Sequence, residues 1–267
     1  MGFNEILFER KNGVAVLTLN RPDIRNVIST PEIIEEIETA CKIVNSDIGI
    51  RVMVITAADP AFSAGGNVKD MMERKGMFGG SPAQLMDNYR KNIQRIPLAV
   101  HSVEIPTISA VNGPAIGAGC DLALMCDIRV ASEKASMGET FLNVGIVPGD
   151  GGAWFLPRVV GMAKACEMIF TGDVLDAEEA LRVGLVNYVV PHESIMEKTM
   201  EIAGKIARKP PEALRMAKRL LYCSQSESLA RHLDQAAALQ ALCHTTEDHR
   251  EALDAIAEKR DPRFSGK

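Results

Sequence analysis

The chain has 267 residues, 46% of them hydrophobic and 24% charged, which is the balance of an ordinary globule long enough for one large domain or a domain with an appendage. A formal charge of -5 argues against a nucleic-acid partner, which usually leaves a basic footprint. The six cysteines, at 41, 120, 126, 166, 223 and 243, show neither a C-x-x-C pair nor a zinc-type Cys/His spacing, so they read as small buried hydrophobes in a reducing compartment and no metal site is expected.

The N-terminal "MGFNEILFERKNG" goes directly into strand-like alternation without an apolar signal core, and no apolar run approaches the ~18 residues of a membrane span. The expected location is the cytoplasm, with no membrane partner. Short β-branched runs follow at 6–10, 14–19, 51–56, 107–112 and 128–132, bounded by Gly, Pro or Asp. Between them lie helical patterns such as 31–45, where Ser29-Thr30-Pro31 supplies a cap and a proline for the first turn. Such alternation predicts an α/β core with parallel strands.

After about residue 191 the strand signals stop. Helices are predicted at 193–207, 210–222, 226–243 and 247–258, in an Ala/Leu/Met-rich amphipathic region suited to a cap or an oligomer interface. The chain is therefore divided into a core of 1–192 and a helical region of 193–267. The stretch 72–84, "MERKGMFGGSPAQ", reads as a mobile segment over a substrate.

Two glycine-rich loops then need an explanation. In "NGPAIGAGCDLALMCD", 112–127, a dinucleotide fingerprint fails because Leu122 stands where its third glycine belongs, and no P-loop sequence is present. "AFSAG", 61–65, copies a serine-hydrolase elbow with Ala in place of the first Gly, but "AADPA" separates Ser63 from the preceding strand. What remains is a pair of loops, 62–71 and 113–123, each of tiny residues, each following a strand and opening a helix. Their unobstructed amides, brought together, would stabilise negative charge on a carbonyl oxygen; close helix–strand packing is the alternative.

"AFSAGGNVKDM", "NGPAIGAGCDLALMCDIRVAS", "VGIVPGDGGAWFLPRVVG" and "AEEALRVGLVNYVV" together resemble the enoyl-CoA hydratase/isomerase, or crotonase, superfamily, collinear from "LTLNRPDIRN" to "EKRDPRF". The resemblance implies a crotonase-like superhelix of ββα units with a helical trimerisation region, in a homotrimer or a hexamer. It implies an acyl-CoA thioester substrate, with coenzyme A as part of that substrate and no separate cofactor. The oxyanion-hole donors fall on Gly66 and Ala118. The coenzyme A contacts fall on Ile24, Arg25, Ala64, Gly66 and Lys259, where Arg25 and Lys259 could equally be solvated surface charges.

The family's hydratases use two glutamates as an acid/base pair. Asp121 occupies the first position and Phe141 the second, which removes one carboxylate. Asp150 matches an aspartate of related dienoyl-CoA and ring-opening isomerases, so Asp121 and Asp150 are candidates to shuttle a proton, with Glu139 as the further candidate. Each also has a plain structural reading: Asp121 as a helix cap, Asp150 as a turn residue, Glu139 as a solvated loop acid. Phe141 and Trp154 are assigned to an apolar acyl pocket. Asp127 and Arg129 are read as a structural ion pair or as interface packing residues, and His101, His232, His244 and His249 as surface or contact residues. The reaction is then hydration of an enoyl-CoA or a shift of its double bond. The alternatives are an isomerase without hydratase activity and a non-catalytic acyl-CoA binder.

Overall fold

The computed structural model describes residues 2–267. Strands β1 (Ile6–Lys11), β2 (Val14–Leu19), β3 (Val52–Ala57), β4 (Thr107–Val111), β6 (Ile128–Ser132) and β9 (Tyr188–Val190) form a six-stranded sheet in that spatial order. β1 and β2 are an antiparallel hairpin turned by Asn12-Gly13, both at positive φ. Every later pairing in this sheet is parallel, as predicted. A second sheet joins β5 (Ala115–Ile116), β7 (Ser136–Gly138) and β8 (Val174–Asp176).

β3 is buried at all six positions because both faces of the sheet are covered. Met53 and Ile55 join the large core under helix α1 (Pro31–Ser46), while Val52 and Val54 face the other way. Helix α1 follows from its pattern: Ile33, Ile34, Ile37, Ala40, Cys41 and Val44 line one buried face at helical spacing, and the Thr30 hydroxyl accepts from the Ile33 amide. Fully burying side chains of the isoleucine class stabilises by about 1.5–3 kcal/mol each.

The opposite sheet face is covered by α8 (Ile195–Ala207), whose Ile195 and Ala203 pack on Val14, Val52, Val54, Ile108, Ala110 and Val130. α8 thus packs on the sheet itself; amphipathicity shows that a helix buries a face, not which surface receives it. α9 (Pro211–Cys223), α10 (Leu229–His244) and α11 (Glu247–Glu258) complete the helical region, close to their predicted bounds.

α9 is fastened to the core by Lys218, whose Nζ lies 2.8 Å from Asp127 Oδ2 and 2.9 Å from the Ile105 carbonyl. The Tyr222 hydroxyl donates to the other Asp127 oxygen at 2.5 Å. Asp127 thus pairs with Lys218 rather than with Arg129, which donates instead to the carbonyls of Leu185 and Cys126. The stretch 72–84 runs from the last turn of α2 (Val68–Glu73) through a 3-10 turn at Gly76–Phe78 into α3 (Pro82–Lys91), with Ser81 and Gln84 forming a capping box. No helix among the described residues is long and apolar enough to cross a membrane.

Candidate active site

The loop after β3 and the loop before α5 (Ala118–Leu124) are stitched to each other. Ser63 pairs with Ala115 as an isolated parallel bridge, its amide donating to Pro114 and its carbonyl accepting from Ile116. Glycine is required at the crossing. A Cβ on Gly65 would stand 2.6 Å from the Ile116 carbonyl and 3.0 Å from the Ala118 amide nitrogen, and one on Gly119 would overlap the Ser63 backbone. Among the described residues, neither the Gly66 nor the Ala118 amide donates to a protein acceptor, although the flanking Gly65 and Asn67 amides are bonded to Ser63 and Ser29 hydroxyls.

Ser63 is fully buried, and its hydroxyl donates to the Asn26 carbonyl at 2.7 Å. That fixes it as a structural residue and removes the hydrolase reading. Asn26, also fully buried, ties the same loop down by donating to the carbonyls of Ala58 and Ala61, a role with no signal in the sequence. The segment carrying Ile24 and Arg25 adjoins this loop: Ala64 donates to the Arg25 carbonyl and Ile28 to the Gly65 carbonyl. Ile24, Arg25, Ala64 and Gly66 therefore sit together, with Arg25 exposed. Lys259 is elsewhere in the fold, at the exposed C-cap of α11, and makes no hydrogen bond to these loops.

Asp121 lies on α5 one turn after Ala118, Glu139 directly follows β7, and Asp150 precedes the glycines that open α6 (Gly152–Thr171). The three carboxyls converge. Asp121 and Glu139 are 0% exposed and Asp150 3%, and neither oxygen of Asp121 or Glu139, nor Oδ2 of Asp150, has a protein donor. Asp121 stands within hydrogen-bonding reach of both other carboxyls. Glu139 is thus not the solvated loop acid it could have been.

Gly152 makes the convergence possible. A Cβ there would overlap Asp121 Oδ1 and come within 2.6 Å of Glu139 Oε2, so only glycine lets both carboxyls reach the same point. Nothing in the sequence marked it apart from its neighbour Gly151.

Burial with no compensating cation pushes all three carboxyls up. Desolvation holds Asp121 well above the usual range, reinforced by Glu139, and Asp150 likewise, reinforced by Asp121. Glu139 rises to about 7, desolvation being the main cause, while the adjacent Asp121 carboxyl, which can offer a proton to it, acts against the rise. Three carboxyls packed together in this way cannot all ionise, so around neutral pH the cluster holds at least one proton beside a carboxyl that can accept one. Such a group can both give and take a proton.

Phe141, half-buried, lays its ring over Gly117, 3.6 Å from where a Cβ would be, beside the Ala118 amide. Trp154, 43% exposed, packs edge-on against His101 and Phe155 under the Arg158 guanidinium. His101 is half-buried between Trp154 and Tyr222. Among the described residues no group of His, Cys, Asp or Glu is arranged to hold a metal ion.

The enoyl-CoA hydratase/isomerase family profile matches residues 9–267. The chain is 35% identical to a crotonyl-CoA hydratase of Syntrophomonas wolfei over 272 aligned residues, covering 100% of both chains. It is 37% identical to a 2,3-dehydroadipyl-CoA hydratase of Escherichia coli, covering 99% of this chain and 100% of the relative. A crystal structure of enoyl-CoA hydratase from Bacillus anthracis superposes with a TM-score of 0.92 at 33% identity, covering 99% of this chain and 100% of that one. The fold, the collinear match and these relatives show that the chain belongs to the enoyl-CoA hydratase/isomerase family of the crotonase superfamily.

Proposed function

We propose that the protein transfers protons at the double bond of an enoyl-CoA thioester, with the thioester oxygen held by the Gly66 and Ala118 amides and the protons carried by Asp121 and Asp150. The observation that carries this reading is the buried, donor-free carboxyl cluster beside two uncommitted amides. A chain that only bound its ligand would have no use for three uncompensated carboxyls, each of which costs stability.

In the double-bond shift, a carboxylate of the cluster takes the C2 proton of a 3-enoyl thioester. The C–H electrons form the C2–C3 double bond, and those of the C3–C4 bond pick up a proton from a second carboxyl at C4. The negative charge that gathers on the thioester oxygen meanwhile rests on the two amides. Phe141 favours this reaction, since an apolar ring stands where hydratases need a carboxylate. Hydration is the second reading, favoured by the hydratase names of the relatives. In it the cluster, with Glu139 compensating for position 141, activates water for C3 while a proton is delivered to C2. Exposed Leu229, Leu233, Leu242, Leu253 and Ile256 on α10 and α11 support assembly into a homotrimer or hexamer.

Incubating 2-octenoyl-CoA and 3-octenoyl-CoA in heavy water separates the readings by mass. Interconversion of the two with deuterium on carbon is the expected result. A product heavier by one molecule of heavy water establishes hydration, and no change in either thioester refutes both.

A further inference from the structure

A groove of about 480 Å³ lies between α2–α3 and the turn after Phe141, lined by Val68, Met71, Phe78, Tyr89, Val144 and Ile146 among others, with no charged residue in its wall. Its two inner edges meet the site described above. Met71 and Phe78 pack over Gly66, with Met71 Cε 2.6 Å and Phe78 Cζ 3.6 Å from the position of a Cβ there, and the Tyr89 ring packs over Gly149 next to Asp150. Its outer rim is Met72, 80% exposed.

Resting on the reading of the site as a thioester site, we infer that this groove seats the acyl chain and selects an extended, uncharged chain over a four-carbon or a dicarboxylic one. A methylene takes roughly the room of a water molecule, ~30 Å³, so a four-carbon acyl group would fill only about a quarter of the groove. An ω-carboxylate would be placed against methionine, valine and leucine with no cation or donor other than the Tyr89 hydroxyl, an unfavourable exchange for water. Met71 and Met72 are unbranched and adapt to chains of different length.

Equilibrium binding of saturated thioesters tests this without turnover. Each methylene buried is worth about fourfold in affinity at most, so octanoyl-CoA is expected to bind on the order of 100-fold more tightly than butanoyl-CoA. Adipyl-CoA is expected to bind roughly 10- to 100-fold more weakly than hexanoyl-CoA of equal length. In Met72→Glu and in Val144→Asp, both at exposed rim positions that folding tolerates, the octanoyl-to-butanoyl affinity ratio should fall about tenfold. If butanoyl-CoA binds and octanoyl-CoA is no tighter, or if both variants keep the ratio, the groove assignment fails alone. If neither thioester binds, the reading of the site fails and takes the groove with it.

Discussion

Replacing Glu139 by Gln should stabilise the protein at alkaline pH while impairing it as a catalyst. Glu139 is completely buried, and its carboxyl rises from an ordinary value of 4.5 to about 7. The folded state therefore binds a proton more tightly than the unfolded chain does. Stability linked to Glu139 is fully present below about pH 4.5 and is lost as pH rises through about 7. Once the group is ionised in the folded protein, the loss is about 3 kcal/mol. Glutamine keeps the shape, carries no charge, and points its amide hydrogens at Asp121 oxygens that lack protein donors. In denaturant unfolding at fixed protein concentration, Glu139→Gln should exceed the wild type by up to about 3 kcal/mol at pH 8.5 and match it within about 1 kcal/mol at pH 4.5. Turnover should fall in the same variant, and the neutral-pH inflection of its pH–rate profile should vanish. A loss of stability of equal size at both pH values would refute the burial of an uncompensated charge at this position.

Asp121→Asn removes the carboxyl one helical turn after Ala118, and kcat should drop by about 10²- to 10⁴-fold with thioester binding retained in calorimetry. Gly152→Ala drives a methyl into Asp121 and Glu139; it should cost roughly 1–3 kcal/mol in stability and lower kcat through displaced carboxyls. Lys218→Ala leaves Asp127 without its buried cation and should cost about 3–5 kcal/mol, measured by denaturant unfolding. Ser63→Ala should retain activity at a cost of about 1–2 kcal/mol, and a fluorophosphonate should label neither it nor the wild type.

The parallel core was legible because burial on both faces turns β3 into an unbroken apolar run, and because α1 shows a single buried stripe between a cap and a proline. β5, β7 and β8 span two or three residues each, too few to display a period; they exist through pairing with distant segments. The three acids were legible as candidates through the family resemblance, which places Asp121 and Asp150 at catalytic positions and leaves Glu139 two residues before Phe141. Their convergence was not. Glu139 owes its direction to the room left by Gly152, thirteen positions on, and the lack of a side chain carries no periodic signal. Trp154 shows the same limit from another side: its edge-on packing against His101, more than fifty residues earlier, has no signal in the sequence. Asp127 likewise found its cation on α9 rather than two residues away, because a tertiary contact set the pairing.

Exchange of the C2 protons of octanoyl-CoA with heavy water, followed by NMR, tests enolate formation most directly, since it requires neither a double bond nor added water. Wild-type protein should exchange them well above the buffer rate, Asp121→Asn should not, and Ser63→Ala should behave as wild type. A wild type that binds octanoyl-CoA yet leaves its C2 protons at the buffer rate would contradict proton transfer by the carboxyl cluster.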